Sequence, residues 1–357
     1  MGPSRAAGTR TCTYRCPVTA SLRPVSGTAG ELLRLLREWQ GADDPAPLVV
    51  ETSGSTGRPK RVVLSRRAMR ASVEATHDRL GGPGQWVLNL PPTAVAGVQV
   101  LFRSLVAGVD PVIAKDPVEA ARAVSADRAY LSLVPTQLVR ALRDPAVVAA
   151  LTRFDTVLVG GGPLDPGARR EAERRGVRVV QSYGMSETCG GCVYDGRPLD
   201  GVRLRIDGDG QVLVGGPVLF DGYEGEPERT AEVLVDGWLR TADLGRIAED
   251  GRLEVLGRVD DVVVSGGVNV PAPAVARMLR DHPAVRDAHV VGVPDREWGS
   301  RVVAVVVADP VPALDELRDL VAPRTWAPKG LVVVDELPML PNGKVDRLRI
   351  EEVAAHG

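Results

Sequence analysis

Nine consecutive residues, Thr52-Ser53-Gly54-Ser55-Thr56-Gly57-Arg58-Pro59-Lys60, set hydroxyls, two glycines and a lysine just after the apolar run Leu48-Val49-Val50. Glycines let a backbone approach an oxyanion and turn its N–H groups inward, hydroxyls add donors, and Lys60 adds a compact charge, so the composition suits a polyphosphate. The order differs from G-x-x-x-x-G-K-[ST], which opens straight into a helix. Here Lys60 is followed by the β-like run Arg61-Val62-Val63-Leu64. The pattern therefore predicts strand, loop, strand, with a helix starting only after the N-cap residue Ser65. A plain Gly/Ser turn in a hairpin has the same composition.

A second stretch, Tyr183-Gly184-Met185-Ser186-Glu187-Thr188, offers an aromatic face for a base, a glycine for close approach, a hydroxyl for phosphate and a carboxylate. Beside a triphosphate, Glu187 suits Mg²⁺, which prefers oxygen donors and shares them with phosphates. The same residues also suit a helix N-terminus, with Ser186 as cap and Glu187 as first-turn acid. Gly160-Gly161-Gly162-Pro163 is backbone that passes close to something, or a tight turn. Asp243, in Thr241-Ala242-Asp243-Leu244-Gly245, is suited to a ribose diol, and Arg258 is a charge in apolar surroundings; each is also a candidate surface ion-pair member. Lys344 lies in the turn-like Pro341-Asn342-Gly343-Lys344. Arginine supplies 40 of the 44 basic residues, so Lys60 and Lys344 mark places where a slim ammonium matters beyond charge; chance accounts for Lys115 and Lys329. Cys189 and Cys192 form an isolated C-x-x-C, while Cys12 and Cys16 lie near the N-terminus. Zinc would need two more ligands near the pair, and His77, His282, His289 and His356 are remote in sequence, so neither metal nor redox use is expected.

These residues must be held by an α/β framework. From Gly30 the spacing of Leu32, Leu33, Leu35, Leu36 and Trp39 predicts a helix, and another is expected over 66–80, stopped by Gly81-Gly82-Pro83. Strands at 85–90, 111–114, 129–134, 155–160 and 177–183 then alternate with helices near 97–107, 117–124, 136–143 and 166–175. That alternation implies βαβ crossovers and a helix-covered, mainly parallel sheet, whose ligands sit beyond the carboxyl ends of the strands. From Val202 short strands and tight turns such as Asp207-Gly208-Asp209-Gly210 predict an antiparallel β layer. A small α+β unit follows, with helices near 271–280 and 313–320 and strands at 285–293, 301–307 and 330–335. The expected organisation is an irregular tail over 1–28, a large N-terminal domain over 29–259 and a small mobile C-terminal domain over 260–357.

A chain of 357 residues, 44% hydrophobic and 25% charged, fits a soluble two-domain protein. A net charge of −2 leaves no electrostatic footprint for nucleic acid or an anionic membrane. The longest purely apolar run, Val302 to Ala308, is far short of the roughly 18 residues needed for a bilayer span. Arg5, Arg10 and Arg15 precede no apolar segment, so no secretory signal and a cytoplasmic location are expected. Self-association as a homo-oligomer stays open.

The ordered set of T-S-G-S-T-G-R-P-K, G-G-G-P, Y-G-M-S-E-T, T-A-D-L-G, G-R-V-D-D and P-N-G-K resembles the adenylate-forming superfamily of acyl-CoA synthetases, luciferases and peptide-synthetase adenylation domains. The resemblance runs from Thr52 to Lys344 and implies ATP, Mg²⁺ and coenzyme A as reactants beside a small carboxylic acid. It implies that Thr52 to Lys60 cradle the β- and γ-phosphates and that Gly160, Gly161, Gly162 and Tyr183 hold adenine and the acyl group. Gly184 lies within that same motif, Ser186 and Glu187 would bind phosphate and Mg²⁺, and Asp243 and Arg258 the ribose. Asp260 would be the interdomain hinge, Lys344 would bridge carboxylate and α-phosphate, and Ser265, Gly266 and Gly267 would help form the thiol channel. Within the superfamily, Ser132-Leu133-Val134-Pro135-Thr136-Gln137-Leu138, Val95 to Leu101 and Tyr183 to Tyr194 resemble the 2-succinylbenzoate:CoA ligases of menaquinone biosynthesis. The acid pocket would then use Thr93, Ser132, Gln137 and Gly161. Where relatives place a histidine after the Leu-Pro pair, this chain has Thr93. Another aryl or acyl acid ligase, feeding CoA or a carrier protein, is the alternative within the class. The strand after Lys60 argues against a P-loop NTPase, and Lys344 with Glu187 against a non-catalytic nucleotide-binding protein. On these expectations Lys344→Ala slows pyrophosphate release by about 100- to 1000-fold, the usual effect of losing one preorganised charge-stabilising donor. The same variant, given synthetic acyl-adenylate, forms thioester at close to the wild-type rate; equal slowing of both half-reactions would assign Lys344 to the fold instead.

Overall fold

The computed structural model describes residues 23–52, 59–339 and 345–356. The helix Ala29–Gly41 opens with a capping box: the Thr28 side chain accepts from the Glu31 N–H, and the Glu31 carboxylate accepts from the Thr28 N–H at 2.7 Å. Its Leu32, Leu36 and Trp39 turn inward, and Trp39 meets Phe102 edge-on with ring centroids 5.4 Å apart. Part of the expected irregular tail is ordered, since Arg23–Pro24 pairs in parallel with Leu48–Val49.

A seven-stranded sheet runs in the order Arg197–Pro198, Gly190–Tyr194, Val179–Met185, Thr156–Val159, Ala129–Leu133, Gln85–Leu88, Val112–Ile113. The last five are parallel. They are joined by the helices Val95–Val106, Pro117–Ala123, Pro135–Ala141, Pro145–Leu151 and Pro166–Arg174, which is the predicted crossover pattern with one helix added. The added helix, Pro145–Leu151, has its signal in the sequence: Asp144 caps it and Pro145 occupies the first turn. Gln85–Leu88, Ala129–Leu133 and Thr156–Val159 are buried along their whole length, as strands covered by helices on both faces must be.

Beside this sheet, Leu48–Thr52 and Lys60–Leu64 form an antiparallel hairpin that takes Gly222–Tyr223 as a third strand on its Lys60–Leu64 side. The expected antiparallel layer comprises Arg203–Ile206, Gln211–Gly215, Trp238–Ile247, Leu234–Val235 and Leu253–Arg258. An unforeseen helix, Pro227–Val233, precedes Leu234–Val235. The C-terminal part holds the hairpin Val262–Ser265/Val268–Pro271, the helices Ala272–Leu279 and Leu314–Asp319, and a sheet of Val285–Asp295, Gly299–Ala308 and Gly330–Val333. Beyond the expected strands lies a helix that the sequence pattern does not predict, Arg347–His356, which buries Ile350 and Ala354. The cores of this part are separate from those of the preceding residues, apart from a small cluster in which Leu244 and Leu256 meet Ala274. Among the described residues no helix is long and apolar enough to cross a membrane.

One polar cluster sits inside the large core. Arg103, on Val95–Val106, places its guanidinium 4.7 Å from the Trp86 ring centre and donates to Thr76 Oγ1 at 3.2 Å and to Tyr194 Oη at 3.3 Å. The nearby His77 is buried, and its Nε2 has no hydrogen-bond partner among the described residues. Burial, reinforced by the Arg103 charge and opposed by Asp78, pulls His77 down from 6.5 to about 4. Between those values the unfolded chain binds a proton at His77 that the folded protein does not, so stability falls as pH drops through this window. Withholding that proton costs about 1.4 kcal/mol for each step of one in pH, and the loss at pH 4 reaches about 3 kcal/mol. Denaturant unfolding at pH 7 and pH 4 should show that His77→Leu, whatever its stability at pH 7, loses correspondingly less on acidification than the parent protein.

Candidate active site

Val179–Met185 runs two residues further than expected, and a single 3₁₀ turn, Ser186–Thr188, returns the chain into the antiparallel strand Gly190–Tyr194. Met185 precedes the turn as its cap residue and no longer helix follows, so Ser186 is not a helix cap. Thr188 Oγ1 closes the reversal, accepting from the Met185 N–H at 2.9 Å and donating to the Gly190 carbonyl at 2.7 Å. A side chain at Gly184 would overlap the Gly190 carbonyl and lie 2.7 Å from Gly191 Cα. The close approach that Gly184 permits is thus to its own hairpin partner.

The turn sinks Ser186 and Glu187 into the protein, leaving Glu187 only 9% exposed. Tyr223 Oη donates to Glu187 Oε1 at 2.7 Å, and the Glu187 carbonyl accepts from the Phe220 N–H at 2.9 Å. Tyr223 stands opposite Val62 on the loop-bearing hairpin, where Thr52 and Lys60 face each other across the strands. Lys60 Nζ lies 5.5 Å from the centre of the Tyr223 ring, and the Arg229 guanidinium lies 5.2 Å from it. Burial and the Glu187 charge raise the Tyr223 phenol well above its ordinary value, so it is a donor throughout the physiological range. Ser53, Gly54, Ser55, Thr56 and Gly57 of the loop, and Lys344, lie outside the described residues.

A second group begins four residues earlier on the same strand. Tyr183 Oη donates to Asp243 Oδ2 at 2.8 Å. Asp243 is in register with Arg258 on the neighbouring strand, whose guanidinium stands 3.8 Å from Asp243 Oδ1 and 3.5 Å from Asp260 Oδ2. Burial raises the Asp243 carboxyl, while the Tyr183 hydrogen bond and Arg258 pull it back. The Tyr183 phenol is driven up by burial and by the Asp243 charge.

The carboxyl ends of Ala129–Leu133 and Thr156–Val159 bring the next residues alongside. Gly160 donates its N–H to the Leu133 carbonyl at 3.1 Å and packs against Ser182, while Gly161 takes φ +79° and needs to be glycine for that reason; Gly162 follows it. Ser132 is buried within its strand. Gln137 Oε1 accepts from the Val134 N–H at 2.9 Å, so that oxygen is engaged at the start of Pro135–Ala141. Thr93 is half-buried in the turn before Val95–Val106. Ser265, Gly266 and Gly267 form the tip of the Val262–Pro271 hairpin, with φ of +58° at Gly266 and +79° at Gly267. Gly266 donates its N–H to the Trp298 carbonyl at 2.9 Å. Among the described residues no hydrogen bond or ion pair ties this tip to the Tyr183 or Glu187 groups. Sequence reasoning missed Tyr223: its place depends on pairing between segments far apart in the chain, and its nearest signal is the β-like run after Lys60 that needs a partner strand.

Residues 27–224 match the AMP-binding enzymes, and residues 274–344 match the C-terminal domain of AMP-binding enzymes. The chain belongs to the AMP-binding enzyme family. It is 47% identical over 335 residues to the probable 2-succinylbenzoate–CoA ligase of Mycobacterium tuberculosis, covering 88% of this chain and 86% of that relative. It is 30% identical over 354 residues to the 2-succinylbenzoate–CoA ligase of Listeria monocytogenes, covering 93% and 75%. Among solved structures it is similar to the o-succinylbenzoate CoA synthetase of Bacillus subtilis in complex with its acyl-adenylate intermediate, with TM-score 0.68 and 28% identity over 85% of this chain and 69% of that one. It is also similar to the amide bond synthetase of Marinactinospora thermotolerans, with TM-score 0.71 and 30% identity over the same shares, 85% and 69%.

Cys189 and Cys192 are both buried, and burial pushes the Cys192 thiol up to about 12 and raises that of Cys189 as well. Thiols of this kind are inert, because the thiolate is the reactive form. In a Cys12→Ser/Cys16→Ser variant, Ellman's reagent at pH 8 is expected to titrate no thiol in the native protein and both after unfolding. Prompt reaction in the native state, or stoichiometric zinc lost together with activity in Cys189→Ser/Cys192→Ser, would give the pair a chemical role.

Proposed function

We propose that the protein is an ATP-dependent carboxylate:CoA ligase that works through an acyl-adenylate and converts 2-succinylbenzoate to 2-succinylbenzoyl-CoA for menaquinone biosynthesis in the cytoplasm. The observation that carries this reading is the convergence of Lys60, Glu187, Tyr183 and Asp243, scattered along the sequence, on the carboxyl-terminal part of one strand, Val179–Met185, and the turn that follows it. Such a place is where open α/β sheets bind nucleotides. The relatives' activity supports the choice of acid and thiol.

In this reading the loop from Thr52 to Lys60 takes the β- and γ-phosphates, Tyr183 and the 160–162 loop flank the adenine and acyl groups, and Asp243 with Arg258 takes the ribose. The donors fit Mg²⁺: Glu187 and Ser186 offer hard oxygens, the kind that magnesium shares with phosphates. Bound there through Glu187, the ion would neutralise phosphate charge. Lys344 serves adenylation. The unit from Asp260 onward turns between half-reactions, and Ser265, Gly266 and Gly267 then line the approach of the CoA thiol.

A second reading, activation of a different acid or delivery to a different acceptor, is favoured by Thr93 and by the comparable likeness to the amide bond synthetase. A panel of 2-succinylbenzoate, benzoate and a fatty acid, each with ATP, Mg²⁺ and CoA, distinguishes the two by mass spectrometry of thioesters. The expected result is the 2-succinylbenzoyl thioester with release of pyrophosphate. Thioester from benzoate or the fatty acid but none from 2-succinylbenzoate would overturn the substrate assignment, and release of orthophosphate alone would overturn the class.

A further inference from the structure

We infer that Tyr223 is a positioning residue for Glu187, setting the orientation in which that carboxylate meets the magnesium of bound ATP. This rests on the reading of Glu187 as the magnesium ligand and goes beyond it to the group that aims the ligand. A carboxylate that is 9% exposed has few ways to be solvated, and here its Oε1 is held by a single side-chain donor, Tyr223 Oη, at 2.7 Å. Among the described residues Oε2 has no hydrogen-bond partner, so the bond to Oε1 orients the group while leaving one oxygen for a cation. The carbonyl of Glu187 is pinned separately by the Phe220 N–H, three residues before Tyr223. Backbone and side chain of Glu187 are therefore both fixed by the 220–223 segment.

That segment is itself tied to the loop-bearing hairpin. The Asp221 N–H donates to the Val63 carbonyl at 2.9 Å, and the Glu224 N–H donates to the Arg61 carbonyl at 2.9 Å. The Tyr223 ring packs edge-on against Phe220, with centroids 5.0 Å apart, and lies near the cations of Lys60 and Arg229. Ring position thus depends on packing and strand pairing, and only the hydroxyl addresses Glu187. Tyr223→Phe keeps the ring and its neighbours and removes that one donor.

Partners that orient a metal ligand typically change metal affinity by about 10- to 100-fold when removed. The test is Mn²⁺ binding to the full chain in the presence of ATP and the absence of any carboxylic acid, read by electron paramagnetic resonance. Parent protein, Tyr223→Phe, Glu187→Gln and the double variant are compared, with thermal unfolding midpoints recorded alongside. Expected is at least about a tenfold weakening of Mn²⁺ binding in Tyr223→Phe at an unfolding midpoint close to that of the parent, and no further weakening when Tyr223→Phe is added to Glu187→Gln. In turnover assays the Mg²⁺ concentration for half-maximal rate should rise by the same factor, while the KM for the carboxylic acid stays unchanged. Parent-like Mn²⁺ binding in Tyr223→Phe, with binding lost in Glu187→Gln, would overturn the positioning role and leave Glu187 as the ligand. Parent-like binding in Glu187→Gln would overturn the magnesium assignment and the role of Tyr223 with it.

Discussion

A nearly buried carboxylate must be met by donors, and the way Glu187 is met organises this molecule. Its donor, Tyr223, can stand there only because Gly222–Tyr223 adds to the strand Lys60–Leu64, and Glu187 can face it only because the chain reverses at Ser186–Thr188. Three segments remote in sequence are thereby locked together: the hairpin that carries the Ser/Gly-rich loop, the turn at the end of the parallel strand, and the short strand before Pro227–Val233. Unsatisfied, such a carboxylate would be expensive to bury. The hydrogen bond is consequently a register mark for the sheet of Leu48–Thr52, Lys60–Leu64 and Gly222–Tyr223 as well as part of a candidate site.

The Tyr183 group repeats the theme four residues earlier, on the strand that leads into the turn. Asp243 and Arg258 are cross-strand neighbours in the antiparallel layer, so their spacing is set by sheet geometry, and Tyr183 reaches them from the parallel sheet. The strand Val179–Met185 with its turn thus contributes to both groups, at Tyr183 and at Glu187. The next residues along the layer, Arg258 and Asp260, hold an ion pair at 3.5 Å, and Asp261 is bonded to Arg347 at 2.6 Å. Consecutive carboxylates at 260 and 261 so point to partners on opposite sides of the junction between the two sets of cores.

Much of this is legible in the residues. Period and punctuation locate Leu48–Thr52, Lys60–Leu64, the parallel strands and most of their helices, since buried parallel strands read as apolar runs between caps and glycines. Pro145–Leu151 escapes such a reading although Asp144-Pro145 announces it, because a short helix directly following another looks like part of one connection. Arg347–His356 escapes it because only Ile350 and Ala354 are buried, which leaves almost no apolar stripe. In the site, residue types point to Glu187, Tyr183 and Asp243. Their partners are another matter: Gly184 serves its hairpin partner, Gln137 Oε1 serves a helix start, and Tyr223 enters by strand pairing. No local spacing rule encodes contacts of that kind.

The pairing of Thr52 with Lys60 has an electrostatic consequence. A loop that runs from a strand into a helix receives roughly half a positive charge from the helix N-terminus, and this contribution is fixed in the backbone. Here the loop returns into a strand, and the helix Arg66–Leu80 begins beyond the far end of that strand, after Leu64. Its dipole is out of reach, because the effect fades within a turn. In the proposed reading, an anion between Thr52 and Lys60 gains nothing from that dipole, and the charge it meets from the flanking strands is the side-chain ammonium of Lys60. Attraction from a side-chain charge is screened by salt, so binding in that reading weakens as ionic strength rises.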